Sequence, residues 1–97
     1  MTTMLDLLYS RHSIRKYTAQ SIESEKIEKL IEAALLSPSS CNREAWKFAV
    51  VTDKDALKQL SVSKPGAAML SHAQLAIVVC GNPQESDVWV EDCSIAA

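Results

Sequence analysis

Ninety-seven residues allow one small domain at most, and a hydrophobic content of 47% is ordinary for a soluble globular chain. With 2 Gly and 3 Pro, the composition argues against a disordered tract or a repeat array. A formal net charge of -2 and a pI near 5.6 give no overall pull toward nucleic acid, so any anion site must be local.

The first element is a short helix. Thr3 precedes Met4, Leu5, Leu7 and Leu8, with Asp6 three residues on, the pattern of a capping threonine. This helix should run to about Arg11 and present the cluster Arg11-His12-Ser13-Ile14-Arg15 at its end or just after it. Tyr17 and Thr18 suit an extended segment. The second helix has Ile27, Leu30, Ile31, Ala34 and Leu35 on one apolar face, with Ser21 or Ser24 expected as its cap. Glu25, Lys26, Glu28, Lys29 and Glu32 fill a solvated face, where Glu25 and Lys29 can pair. Pro38 disfavours helical geometry at Ser37 and ends the helix.

Trp46 to Thr52 reads as a strand with Trp46, Phe48 and Val50 on one side. Asp53 should cap a short helix holding Ala56, Leu57 and Leu60, broken by Lys64-Pro65-Gly66. Gly66 to Ala73 reads as helical. Leu75 to Cys80 is a continuous apolar run, expected to be a strand buried on both faces. Gly81-Asn82-Pro83 turns the chain, and Ser86 or Asp87 should cap a helix with Trp89, Cys93 and Ala96 along one stripe.

Cys41, Cys80 and Cys93 are odd in number and lack metal-like spacing, the pattern of reduced thiols in a cytosolic protein. The N-terminal sequence lacks the apolar core and basic leader of a signal peptide, which again points to the cytoplasm. The apolar stretch to Cys80 is far too short to span a bilayer, so no membrane association is expected. There is no Ser/His/Asp arrangement, metal cluster or Gly-rich dinucleotide loop.

Two segments carry the functional signal. Arg-His-Ser-Ile-Arg-Lys-Tyr over 11–17 and Pro-Ser-Ser-Cys-Asn-Arg-Glu-Ala-Trp-Lys-Phe over 38–48 resemble the N-terminal half of the nitroreductase family. The similarity covers essentially the whole chain, and Trp89 to Ala97 looks like the start of that family's long central helix. The resemblance implies an α+β fold with helices packed on a partial sheet. It also implies a homodimer with FMN at the interface. Electrons would pass from NADH or NADPH to nitro compounds, quinones or similar small-molecule acceptors by a ping-pong flavin mechanism. Arg11, Ser13 and Arg15 would hold the FMN phosphate and ribityl chain, with His12 nearby. Ser39, Ser40 and Asn42, in the loop bounded by Pro38, would reach the flavin of the partner subunit.

The residue types fit that chemistry. A phosphate monoester takes planar guanidiniums and hydroxyl donors, and short polar side chains in a loop can bond ribityl hydroxyls. The bland alternatives are an exposed basic turn making surface ion pairs at Arg11 to Arg15, and ordinary helix-stop residues at Ser39 to Asn42. His72 and Lys64 read as structural or surface residues, Trp46 and Trp89 as core anchors, and Cys41 as a small packed thiol. Ala45 stands where the family usually has Pro.

Family domains run well beyond 97 residues, so residues 1–97 are expected to form one partial domain with its C-terminal part missing. A non-catalytic truncated fragment, or a module that dimerises through exposed apolar surface, is the competing reading. Within the same fold, a flavin-dependent dehalogenase or a flavin-cleaving relative is the other.

Overall fold

The computed structural model describes residues 2–97 as four α-helices and one two-stranded sheet, an α+β arrangement. Helix α1 spans Met4–Ser10 and α2 Ser24–Leu35; a short 3₁₀ turn, Ser40–Asn42, leads into strand β1, Trp46–Val51. Helix α3 (Lys54–Ser61) and a second 3₁₀ segment (Ala68–His72) connect to β2 (Ala76–Gly81), and α4 covers Trp89–Ala96.

The capping logic holds at α1 and α3. The Thr3 hydroxyl accepts from the Asp6 amide at 3.1 Å, and the Thr3 amide donates to Asp6 Oδ2 at 3.0 Å, closing a reciprocal capping box. Asp53 Oδ2 accepts from the Ala56 amide at 3.1 Å. The other two helices differ from expectation. Glu23 occupies the cap position of α2 with no side-chain bond, so neither Ser21 nor Ser24 caps it. Glu23 instead pairs with Lys26 at 3.7 Å on the surface, while Glu25 and Lys29 form no ion pair among the described residues. Val88 occupies the cap position of α4, and the Ser86 hydroxyl accepts from the Val88 amide at 3.2 Å rather than from inside the helix.

Strands β1 and β2 pair antiparallel, from Trp46 opposite Gly81 to Val51 opposite Ala76. The Asn82 amide extends the pairing by donating to the Ala45 carbonyl at 2.8 Å. Helix α3 packs on the second 3₁₀ segment, and α4 lies against both strands. The buried apolar residues are Leu57, only 1% exposed, with Ala45, Trp46, Ala67 and Ala73. Strand β2 is not buried on both faces: Ala76 to Val79 are half-buried and Cys80 is exposed. A continuous apolar run implies double burial only where a layer covers each face, and two strands with one short helix do not supply both layers.

The N-terminal third is held loosely. Neither α1 nor α2 contains a buried residue, and Met4 and Tyr9 are 74% and 80% exposed. The radius of gyration, 15.0 Å, exceeds the value of about 13 Å for a compact chain of this size. The extended segment after Arg15 is nevertheless tied down. Gln74 Nε2 donates to the Thr18 carbonyl at 3.3 Å, and Lys54 Nζ donates to Gln74 Oε1 at 2.8 Å.

Gly81 is where α4 meets the sheet. A Cβ there would run into the Trp89 ring and lie 2.9 Å from Cys93 Sγ. Overpacking of this kind costs about 1–3 kcal/mol. Gly81→Ala should therefore lower the urea midpoint, and Gly81→Val should lower it further; an unchanged midpoint for both would show that α4 is not seated there.

The capping box adds a pH-dependent contribution. The Thr3 amide, and then the Thr3 hydroxyl, hold the Asp6 carboxyl below its ordinary value of 3.8. A carboxyl lowered in the folded state stabilises α1 above pH 3.8 and loses that effect as pH falls through the lowered value. Carbon-13 shifts of residues 4–10 should lose helical character below that point in the parent chain and show no such step in Thr3→Ala.

Candidate functional site

The first polar motif follows directly from α1. Arg11 caps the helix with extended backbone, φ -63° and ψ 131°, and its amide donates to the Leu7 carbonyl at 3.0 Å. Its Nη1 lies 3.5 Å from Ser13 Oγ, so these two side chains meet. His12, Ser13 and Arg15 are all exposed. Among the described residues neither Arg11 nor Arg15 has an acidic partner; the ion pairs are Lys26–Glu23 and Arg43–Asp87.

The second motif is an irregular loop. Cys41, Asn42 and Glu44 all have left-handed backbone, with φ of 53°, 54° and 52°. Asn tolerates this region, but for Cys and Glu it costs about 1–2 kcal/mol each. The surrounding bonds hold the geometry. The Asn42 amide donates to the Ser39 carbonyl at 3.1 Å and the Arg43 amide to the Ser40 carbonyl at 3.2 Å. The Glu44 amide donates to Ser39 Oγ at 3.0 Å. Ala45 is compatible with this backbone, because a proline at that position would push Glu44 toward extended geometry. Cys41, in the left-handed turn, is exposed rather than packed.

A buried anchor joins this loop to α4. The Ser40 amide donates to Asp92 Oδ1 at 3.0 Å, and the Ser86 hydroxyl donates to Asp92 Oδ2 at 3.3 Å. Asp92 and Ser86 are 3% and 2% exposed. Arg43 Nη1 reaches Asp87 Oδ1 at 3.5 Å across the exposed rim, a contact worth little on its own. Sequence reasoning missed Asp92, and it named Ser86 only as a cap for the last helix, not as a partner of Asp92. The available signal was a carboxylate three residues after Trp89, set in the stripe that otherwise carries Trp89, Cys93 and Ala96. Burial, then the Asp92 carboxylate and then Cys80, push the Cys93 thiol up from its ordinary value.

Of the predicted residues, Ser39 spends one lone pair of its hydroxyl inside the loop, and Ser40 spends its backbone amide on Asp92. The side chains of Ser40 and Asn42 make no hydrogen bond among the described residues, and Pro38 is exposed at the loop entrance. No hydrogen bond among the described residues joins the Arg11–Arg15 motif to the Pro38–Asn42 loop. A cleft of about 400 Å³ runs between the Lys16–Ile22 arm and the Leu70–Leu75 segment; Lys16 and Tyr17 line it, but none of the candidate residues Arg11 to Arg15 or Pro38 to Asn42 does. Among the described residues no cluster of His, Cys, Asp or Glu is placed to hold a metal. No described helix is long and apolar enough to cross a membrane.

Comparison with known proteins places this arrangement. The model of the nitroreductase family matches residues 8–91. A protein of Archaeoglobus fulgidus, which carries the provisional name NADH dehydrogenase/NAD(P)H nitroreductase, is 44% identical over 100 residues, covering 99% of this chain and 58% of the relative. The crystal structure of a Parabacteroides distasonis protein with the same provisional name superposes with a TM-score of 0.90 at 44% identity, over 95% of this chain and 55% of that one. An FMN-dependent nitroreductase from Clostridium difficile R20291 superposes with a TM-score of 0.90 at 47% identity, over 96% of this chain and 55% of that one. The chain thus spans about half the length of the curated relatives it matches. With the family model matching most of its residues, and the fold shared at this level, the chain belongs to the nitroreductase family.

Proposed function

We propose that the chain is the part of an FMN-dependent NAD(P)H oxidoreductase that grips the FMN phosphate and ribityl chain. The observation that carries this reading is the pair of exposed guanidiniums flanking Ser13 in sequence, Arg11, which meets the Ser13 hydroxyl at 3.5 Å, and Arg15, with no acidic partner among the described residues. An ordinary basic turn in a chain with 12 acidic residues would take up surface ion pairs. Apart from the Arg11–Ser13 contact these two arginines have no partner for their guanidiniums among the described residues, and the donor set fits a phosphate monoester.

In this reading Arg11, Ser13 and Arg15 bind the phosphate end of FMN, with His12 beside them. Ser40 and Asn42, together with the remaining donor of Ser39, orient ribityl and ring-edge atoms from the loop bounded by Pro38. FMN, once bound, supplies the electron transfer between a nicotinamide donor and the acceptor. The Clostridium difficile relative's FMN dependence and the names of the other two relatives support the cofactor and the donor. Nitro compounds and quinones are the acceptor class that fits this family.

No hydrogen bond among the described residues joins the two motifs in one protomer, which accords with each serving a different flavin of a homodimer. The apolar residues exposed on α1, Met4, Leu5, Leu7, Leu8 and Tyr9, supply surface for such an assembly. A cytoplasmic location accords with three free cysteines.

Replacing Arg11 with Ala removes a charge-assisted contact worth about 1.5–3 kcal/mol. Fluorescence titration should then show FMN affinity falling about tenfold or more, with riboflavin affinity little changed. Equal losses for both ligands would mean that Arg11 does not hold the phosphate.

Assembly is tested separately. Light scattering should give at least a dimer at micromolar concentration, and Leu5→Glu with Leu8→Glu should shift the population toward monomer. A parent chain that is folded by circular dichroism and monomeric throughout would count against the interface.

A further inference from the structure

The Asp92 carboxylate lies outside both motifs, yet it is bonded to one of them. It is the buried group that connects the Pro38–Asn42 loop to a distant element, through a bond between residues 40 and 92. Its other oxygen is occupied by Ser86, which in turn accepts from the Val88 amide, so the carboxylate is fixed from both sides. The loop's remaining ties are local or exposed: Ser39 to Glu44 within the loop, and Arg43 to Asp87 at the rim. Three left-handed residues in four positions need a rigid support, and the weak ties do not supply one.

The bond also divides the work of Ser40. Asp92 takes the backbone amide, which leaves the Ser40 hydroxyl and the Asn42 amide group free of hydrogen bonds among the described residues. An anchor that used the side chains would abolish the site it positioned.

We infer that Asp92 is a positioning residue for flavin binding: from α4 it holds the Ser40 amide and so presents the Ser40 and Asn42 side chains to the ligand. The inference rests on the flavin reading of this loop. It separates two classes of contact, because Asp92 acts on the ribityl and ring side whereas Arg11 and Arg15 act on the phosphate. Losing Asp92 should therefore weaken FMN and riboflavin alike, unlike Arg11→Ala.

The test uses the full 97-residue chain, its Asp92→Ala and Asp92→Asn variants, and FMN and riboflavin as probes. Asp92→Ala should lose about tenfold or more in affinity for both flavins. Asp92→Asn keeps a carbonyl oxygen for the Ser40 amide and should stay within about threefold of the parent for both. A purely structural role would lower the melting temperature of both variants without this split in affinity. In the parent chain, with no substitution, the Ser40 amide should exchange with deuterium far more slowly than the amides of the exposed 11–16 segment.

A folded Asp92→Ala that binds both flavins like the parent overturns the inference. So does a parent Ser40 amide that exchanges as fast as those of the 11–16 segment, a result that holds even if Asp92→Ala fails to fold. A parent chain with a slow Ser40 amide that binds neither flavin overturns the flavin reading itself, and the positioning role with it. Binding by the parent tells that outcome apart from the first, and the slow Ser40 amide tells it apart from the second.

Discussion

The close approach of α4 to the sheet at Gly81 brings Asp92 within 3.0 Å of the Ser40 amide. The Trp89 ring and the Cys93 thiol occupy the space a side chain at 81 would need, so the helix sits as near to β2 as the backbone allows. One turn of the same helix then serves two purposes. Trp89 and Cys93 pack against the strand, while Asp92 turns toward the loop that precedes β1. A carboxylate buried there is tolerable because two donors, an amide and a hydroxyl, satisfy it. Removing either packing or donors would leave a buried charge without support, which is why the helix and the loop are one unit.

The two polar motifs follow opposite strategies. The Pro38–Asn42 loop is rigid: its backbone carries left-handed strain that is offset by an internal network and a buried anchor. The Arg11–Arg15 segment is extended and solvent-facing, and among the described residues Arg11 bonds to Ser13 and to the end of α1. Charge explains the difference. A guanidinium stays solvated until an anion arrives, and burying it in advance would carry a large desolvation cost. Short neutral side chains can be pre-positioned without that cost.

Much of the fold was legible in the sequence because local chemistry dictates it. Thr3 and Asp6 announced the start of α1, Asp53 that of α3, and the alternation from Trp46 marked β1. Gly66, at φ +88°, sits in the turn that Lys64-Pro65-Gly66 suggested. What failed to show was anything that depends on distant partners. The apolar run to Cys80 looks the same whether one face or two are covered, and only the number of neighbouring layers decides. Ser21 and Ser24 are good capping types, yet the backbone turned into α2 at Glu23. The motif residues themselves could be named from their types and order. The Asp92–Ser40 bond could not, since it joins positions 52 apart. Its one trace was an acidic residue in an apolar stripe, and the stripe on a helix of eight residues is too short for a single exception to stand out.

The stability of α1 bears directly on the arginine motif. A seven-residue helix is well below the length of about 12–15 residues at which isolated helices become even marginal in water. Its capping box and the Asp6 charge near its N-terminus add support, but no side chain in it is buried. Arg11 is the cap residue of this helix, and its amide bond to Leu7 fixes the direction in which the Arg11–Arg15 segment leaves. Whatever covers Leu5, Leu7 and Leu8 therefore also fixes the arginines in place. In the proposed enzyme, covering α1 and gripping the phosphate are a single coupled equilibrium: ordering paid for by apolar burial at the helix need not be paid again when the anion binds.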